Sequence, residues 1–349
     1  MQLMLTRSHR RASFGLVFFS SLTFFLLGAN RFNRLNKDLH WTSEGTESGV
    51  NINGNDVIVA LHIPRTGMSI VSNHIITASS IPCTCRGNMT KCRCLNRQGD
   101  HWFFHSYNST GYVCGQTTDF TTLTSCDVDH WYKTSGHDSR PYRRYHMFTI
   151  LREPLTRYIS EWMFTRNEDT FFKNEPRIFR NTSLELQKKG LACWVGIKLS
   201  SLTFLDFLNC RDNPANNRQT RMLANLTMVD ALGFSGDAYD EALLESAKRN
   251  LQRLAVFGIL SRIEDTMELL EAELGLHFLS PIHVPNAMSR ADTPSHLRAK
   301  MAAVNSLDMR LYNFAVELFN TRIHQLRYSR KSLRRNAGTS VRHDDGKAE

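Results

Sequence analysis

Val57-Ile58-Val59-Ala60-Leu61-His62-Ile63-Pro64-Arg65-Thr66-Gly67-Met68-Ser69 is the stretch that decides the fold. An unbroken apolar run, β-branched over its first three residues, reads as a strand buried on both faces, and such strands belong to parallel sheets. It passes through a proline- and glycine-bearing turn into a helical segment from Met68 to Ala78. A turn that feeds a helix presents unpaired backbone N–H groups and the positive end of the helix dipole, which suits an anion. Arg65, Thr66, Gly67 and Ser69 add a cation, two hydroxyls and a residue without a Cβ. The loop lacks the GxxxxGK[ST] pattern, so ATP and GTP are disfavoured.

The same pattern recurs downstream. Tyr145 to Leu151 reads as a strand and leads through LREPLTRYISEW (151–162) into a helix-like stretch from Leu155 to Thr165. Arg152 stands at the strand end, with Arg157 and Ser160 on the first helical turns. Two anion-friendly strand ends point to a nucleotide with phosphates at both ends. A third strand, Leu254 to Leu260, lies between two helices. Glu241 to Arg253 places Leu244, Ala247, Leu251 and Leu254 on one face, and Ser261-x-x-Glu264 forms a capping box before a helix ending at Gly275. Residues 295 to 327 read as one or two further helices. Strands alternating with helices predict an α/β fold, a central parallel sheet flanked by helices, with ligands at the strand carboxyl ends.

The flanks are of a different kind. Residues 12–29, ASFGLVFFSSLTFFLLGA, hold no charge and lie between Arg7, Arg10 and Arg11 on one side and Arg31, Arg34 and Lys37 on the other. At ~1.5 Å per residue this run reaches roughly 27 Å, enough for a thin early-secretory bilayer. A cleaved signal peptide competes, but the basic residues after the run favour an uncleaved anchor. All eight cysteines and the sequons at Asn88, Asn108, Asn181 and Asn225 lie C-terminal to it. Together they place that part in an oxidising lumen. The predicted order is a cytosolic tail (1–11), one transmembrane signal anchor (12–30), a polar stem (31–55), a lumenal domain (56–328) and a basic, disordered tail (329–349).

The formal net charge of +10 first suggests nucleic acid. Residues 1 to 40 carry six Lys/Arg against one Asp/Glu, and residues 322 to 349 carry eight against three, leaving 29 of each sign between them. A nucleic-acid binder carries its basic stripe within the fold, so the neutral centre argues against that partner.

At this point the segments resemble a known family. HIPRTGMS (62–69) and LREPLTRYISEW look like the 5′-phosphosulfate and 3′-phosphate motifs of Golgi sulfotransferases that use 3′-phosphoadenylyl sulfate (PAPS). More narrowly, CTCRGNMTKCRC (83–94), STGYVCGQTTDFTTLTSC (109–126), NPANNRQTRMLANL (213–226), LLESAKRNL (243–251) and LDMRLYNFA (307–315) are similar to heparan sulfate 6-O-sulfotransferases. The resemblance runs from about Val57 to about Gln325. It implies a P-loop-like sulfotransferase fold, PAPS as donor with no metal, heparan sulfate as acceptor, and a Golgi type II membrane protein. It further implies that His62, Ile63, Pro64, Arg65, Thr66, Gly67, Met68, Ser69 and Ile70 wrap the 5′-phosphosulfate. Arg152 and Ser160 would hold the 3′-phosphate, and a loop with Ser289 and Arg290 would close over the nucleotide.

The family pattern is close to HIQKTGGT, and two departures from it, at 65 and 68, bear on the chemistry, while Ser69 keeps the hydroxyl. Arg65 replaces a lysine, keeping the charge but losing a compact ammonium that can hand over a proton. Met68 replaces a glycine, so left-handed backbone there would be strained. On the acceptor side the family's catalytic histidine aligns with Thr117, which cannot accept a hydroxyl proton at neutral pH. His105 lies nearby as a candidate substitute base. Thr90, Lys91, Tyr112, Phe164 and Phe171 stand at the family's substrate-binding positions, Thr90, Tyr112, Phe164 and Phe171 with altered side chains.

The CxC-x6-CxC array of Cys83, Cys85, Cys92 and Cys94 fits either zinc or disulfides, and an oxidising compartment favours disulfides, with connectivity left open. Lys91, Arg93, Arg97, Arg143, Arg144, Arg218 and Arg221 are candidate contacts for a polyanionic glycan. The leading expectation is transfer of a sulfuryl group from PAPS to the 6-hydroxyl of glucosamine in heparan sulfate. The alternatives are a PAPS-dependent enzyme with another glycan acceptor, or a catalytically weak glycan-binding protein retaining the fold.

Overall fold

The computed structural model describes residues 49–81, 83–86, 91–105, 119–125, 143–167, 193–194, 197–284 and 294–341, the side chains of Lys91 and of 334–341 excepted. The expected span (12–30), most of the stem, Cys114, Cys126 and the sequons at Asn88, Asn108 and Asn181 lie outside these residues. No helix among the described residues is long and apolar enough to cross a membrane.

Four parallel strands form the central sheet, as the alternating pattern predicts. They are β1 (Asp56–Ala60), β4 (Phe103–Phe104), β5 (Arg144–Leu151) and β6 (Val256–Ile259), in the order β4-β1-β5-β6. β1 is buried throughout, which is why its apolar residues are not interrupted by polar ones. Its register on β5 runs from Asp56↔Arg144 to Ala60↔Phe148, and Leu61 continues the ladder by donating to the Phe148 carbonyl at 2.9 Å. Thr149, fully buried, donates its hydroxyl to the Leu61 carbonyl at 2.8 Å. The strand after β1 in the sheet is added on one side and β6 on the other, so growth of the sheet reverses at the β1/β5 boundary. The crevice beyond the carboxyl ends of those two strands is where such sheets bind ligands.

Helix α1 (Met68–Ala78) follows β1 and buries Met68, Val71, Ile75 and Ile76. A small antiparallel hairpin, β2 (Thr84–Arg86) with β3 (Lys91–Arg93), was not foreseen from the sequence. It is too short for an apolar pattern and is held by two disulfides, Cys83–Cys94 and Cys85–Cys92. A third bridge joins Cys193 to Cys210. The disulfide reading of the cysteine array therefore holds over the zinc one. β4 was also missed, since two residues carry no period.

After the short helix α2 (Phe120–Ser125), α3 (Pro154–Thr165) follows β5. Glu153 caps it by accepting from the Thr156 N–H, with Pro154 in the first turn where its missing N–H costs nothing. A cluster of Leu155, Tyr158, Trp194, Leu202, Phe207 and Met301 packs beneath α3, with Trp194 stacked on Phe207 at 5.5 Å. The short helices α4 (Phe204–Asn209), α5 (Arg218–Leu223) and α6 (Leu226–Asp230) lead to α7 (Gly236–Arg253). α7 begins five residues before the expected Glu241, and its buried face includes the expected Leu244, Ala247 and Leu251.

Two expectations at the C-terminal side are corrected. The capping box does not form: Leu260–Arg262 wind into a tighter 3₁₀ turn, so Arg262 rather than Ser261 stands at the start of α8 (Ile263–Leu274) and bonds Asp265. The helix does end at Gly275, in left-handed conformation. Residues 295 onward form two helices, α9 (Ser295–Val304) and α10 (Ser306–Val341). The sequence places disorder from Ser329, but α10 continues to Val341. Arg327 and Arg330 fasten it to Glu268 and Asp265 of α8 where its apolar face has run out. The N-terminal edge also differs, because Ile52 is buried and its carbonyl accepts from Asn96 at 3.0 Å. The packed domain thus starts before Asp56.

Candidate active site

The loop after β1 makes a sharp backbone turn with Arg65 at φ 67° and Gly67 at φ 88°, both left-handed. Glycine is required at 67: a Cβ there would sit 2.5 Å from Leu260 Cδ1. Met68 is the first residue of α1 and fully buried, so the strain expected for a side chain at that position does not arise. Thr66 closes the turn by donating its hydroxyl to the Ile63 carbonyl at 2.8 Å. Among the described residues, no backbone N–H from Arg65 to Ser69 donates to a backbone or side-chain acceptor, whereas those of Ile70 and Val71 both reach the Gly67 carbonyl. A row of free N–H groups at a helix N-terminus forms an anion-binding concavity.

Arg152, at the end of β5, meets this loop directly. Its Nη1 donates to the Arg65 carbonyl at 3.1 Å. Its own backbone is gripped by Gln219 of α5, whose side-chain amide accepts from the Arg152 N–H and donates to the Arg152 carbonyl, each at 3.0 Å. Burial and then the neighbouring Arg65 charge pull the Arg152 pKa below its usual value. Two guanidinium groups this close with no carboxylate bonded between them favour an anionic ligand. Ser160 belongs to the same place, since its Oγ accepts from Arg65 Nε at 3.1 Å. Phe164, one helical turn further along α3, lies under the same guanidinium, 4.8 Å from Arg65 Cζ to the ring centre.

The histidines are the other chemical resource. His62 Nε2 and Ser69 Oγ are 3.3 Å apart, and the His62 ring stacks on His105 with centroids 5.1 Å apart. The parallel register Val59↔Phe104 continues to Ala60 beside His105, and His62, two residues on, lies on the same side of the chain as Ala60, within reach of that ring. Burial, then the neighbouring His105 and Arg65 charges, lower the His62 pKa to about 3, and burial lowers that of His105 to about 4. Both imidazoles are neutral at physiological pH.

Several residues singled out in the sequence have other work. Arg157, expected on the anion-binding side, is fully buried behind it; its Nη1 donates to Glu161 at 3.1 Å and its Nε lies 3.9 Å from Asp308. Arg144 pairs with Asp56 at 2.6 Å, Arg218 with Glu161 at 2.8 Å, Arg143 with Asp100 at 3.5 Å, and Arg221 reaches the Pro214 carbonyl. These four bind the fold together rather than present themselves to a glycan, while Arg93 and Arg97 are exposed. Asn225 caps α6 by accepting from the Met228 N–H. Thr90, Tyr112, Thr117, Phe171, Ser289 and Arg290 lie outside the described residues, as does the Lys91 side chain. Gln219 was missed, because a buried glutamine on a short helix carries no pattern of its own.

A family model described as Sulfotransferase family matches residues 48–315, covering β1, β5, β6 and the helices between. The chain belongs to the sulfotransferase family. This sulfotransferase is 34% identical to a chicken (Gallus gallus) protein named heparan-sulfate 6-O-sulfotransferase 2 over 286 residues, which is 79% of this chain and 70% of that one. It is 35% identical to the human (Homo sapiens) protein of the same name over 288 residues, 79% of this chain but 46% of the relative. A zebrafish (Danio rerio) protein of that name shares 33% over 318 residues, 88% of this chain and 65% of the other. Family membership implies a sulfuryl donor. The free loop N–H groups, Arg65, Arg152 and Ser160 fit one, converging from two strand ends on a single crevice. Among the described residues no cluster of His, Cys, Asp or Glu is placed to hold a metal ion.

Proposed function

We propose that this protein transfers a sulfuryl group from PAPS to the 6-hydroxyl of glucosamine residues in heparan sulfate. The observation that carries the reading is the junction of the two basic strand ends, where Arg152 Nη1 reaches the Arg65 carbonyl beside the free N–H row. The Arg65–Ser69 N–H groups and the Arg65 guanidinium hold the 5′-phosphosulfate and stabilise the charge that grows on the departing phosphate oxygen. Arg152 and Ser160 hold the 3′-phosphate. The names of the chicken, human and zebrafish relatives support the acceptor and the position on it.

The acceptor hydroxyl must lose a proton as it attacks. Thr117 stands where the family has its base, and His105 is the substitute: neutral, beside His62, and next to the loop that holds the sulfuryl group. Its low pKa makes it a weak base, but a bound polyanion favours the imidazolium and raises it.

The protein is further proposed to be a Golgi type II membrane protein, with residues 12–30 as anchor and the catalytic domain in the lumen. The three disulfides support an oxidising compartment. A second reading, the same donor with a different glycan acceptor, is favoured by Phe164, a family acceptor position whose ring here lies against Arg65.

The test is transfer of radiolabelled sulfate from PAPS by the full-length chain, followed by disaccharide analysis of the product. 6-O-sulfated glucosamine supports the main reading, and label elsewhere on a glycan selects the second. No transfer, with no heat on titration with the desulfated donor PAP, overturns both. If His105→Ala leaves the rate unchanged, the substitute-base assignment fails.

A further inference from the structure

The Arg65 guanidinium is held in an unusual way for a group meant to grip a ligand. Its Nε–H is taken by Ser160 Oγ at 3.1 Å, and its Cζ lies over the Phe164 ring, 4.8 Å from the centre. Ser160 and Phe164 are four residues apart on α3 and so share one helix face. That face is a shelf: a hydroxyl takes one edge of the guanidinium and an aromatic ring lies under its centre. The remaining Nη1–Nη2 edge makes no hydrogen bond among the described residues. Two parallel N–H donors on a fixed planar edge match two oxygens of a phosphate or sulfonate. A lysine at 65 offers a point charge with no plane to fix, and a non-aromatic residue at 164 offers no π face to fix it with.

We propose that Phe164 is a positioning residue for the donor: with Ser160 it sets the plane of Arg65, so that the Nη1–Nη2 edge meets two oxygens of the phosphosulfate group. The arginine at 65 and the aromatic at 164 are then one device, and neither works fully without the other. The inference rests on the donor-site reading above, and it moves Phe164 from the acceptor side, where the sequence places it, to the donor side.

The test is a double-mutant cycle in the full-length chain, with PAP affinity by titration calorimetry and the PAPS KM against kcat as readouts. Phe164→Leu is expected to weaken PAP binding about 3- to 30-fold in the Arg65 background, the range of a partly to fully desolvated cation–π contact. In the Arg65→Lys background the same change should have no effect beyond twofold. The loss should fall on KM for PAPS. Because Phe164 also packs on the cluster beneath α3, leucine could disturb folding. Phenylalanine analogues with one, two and three ring fluorines at position 164 keep the shape while draining the π face, and log affinity should fall stepwise with fluorine count. Equal effects of Phe164→Leu in both backgrounds, or affinity indifferent to fluorination, overturn the proposal while leaving the donor site standing. Absence of PAP binding by the wild-type chain removes both.

Discussion

Gly67 shows how tightly single positions constrain the donor loop. Its φ of 88° and the 2.5 Å approach of Leu260 to any Cβ mean that Gly67→Ala combines backbone strain with a clash. It should cost about 1–3 kcal/mol of stability, read by chemical denaturation, and lower PAP affinity at the same time. The two stacked histidines predict a pH dependence. Their folded pKa values, about 3 for His62 and about 4 for His105, lie below the 6.5 of a free imidazole. Between those limits the unfolded chain binds more protons than the folded one, so stability is complete above pH 6.5 and falls as the pH drops toward 4. Replacing His105 by glutamine should recover on the order of 1–3 kcal/mol of that loss, measured as a flatter fall in unfolding free energy with acid. At this scale the sequence was legible where a residue type has one use. Arg65, Arg152 and Ser160 lie together beside the left-handed Gly67. It misled where a charge has two uses: Arg157 reads as a phosphate ligand and serves instead as a buried counter-ion to Glu161 and Asp308, which no local spacing reveals.

Among the elements, α5 and α10 are joined by an exchange of caps. The Asn217 side-chain oxygen accepts from the Leu307 and Asp308 N–H groups at the start of α10, at 3.0 and 3.2 Å. Asp308 in return accepts from the Gln219 and Thr220 N–H groups at the start of α5, at 3.2 and 2.7 Å. Each helix satisfies the open end of the other across some 90 residues of chain. Neither start is read from the sequence, and their partnership lies beyond it, since capping rules look only at neighbours along the chain. Asp308→Ala strands buried donors and an arginine, and should cost about 3–5 kcal/mol in thermal or denaturant unfolding. Because α5 carries the Gln219 that fixes Arg152, the variant that still folds should also bind PAP more weakly. The Cys193–Cys210 bridge closes a separation of 17 residues next to the α3 cluster. Its removal by paired serines should cost about 3 kcal/mol by the loop-entropy estimate, seen as a lower unfolding midpoint that reductant shifts less than it shifts the wild-type midpoint, the Cys83–Cys94 and Cys85–Cys92 bridges remaining reducible.

For the whole molecule, the alternation of apolar runs and helices predicts a parallel sheet but not its order, β4-β1-β5-β6. The long strands are legible because burial on both faces writes them as unbroken apolar segments. β4 and the β2–β3 hairpin are set by pairing partners and disulfides. The net charge of +10 is likewise a whole-chain quantity that misleads until it is divided. With the centre neutral and four of the seven candidate glycan-binding cations engaged internally, glycan affinity should depend on salt less steeply than the count of basic residues implies. Heparin retention at increasing salt checks this, and elution as late as for a protein using all seven would contradict it.

The parallel sheet also divides labour between its two edges. At the strand starts Asp56, buried, clasps Arg144 through both oxygens at 2.6 and 2.8 Å and accepts from the Asn51 N–H at 2.7 Å. Among the described residues neither Arg65, Arg152 nor Ser160 bonds to Asp56 or Arg144, and that edge lies the length of β1 away. Asp56→Asn should therefore lower the unfolding midpoint with PAP affinity unchanged. Substitutions at the crevice end and at the strand-start end therefore act on separate properties, ligand affinity at one and the strength of the scaffold at the other.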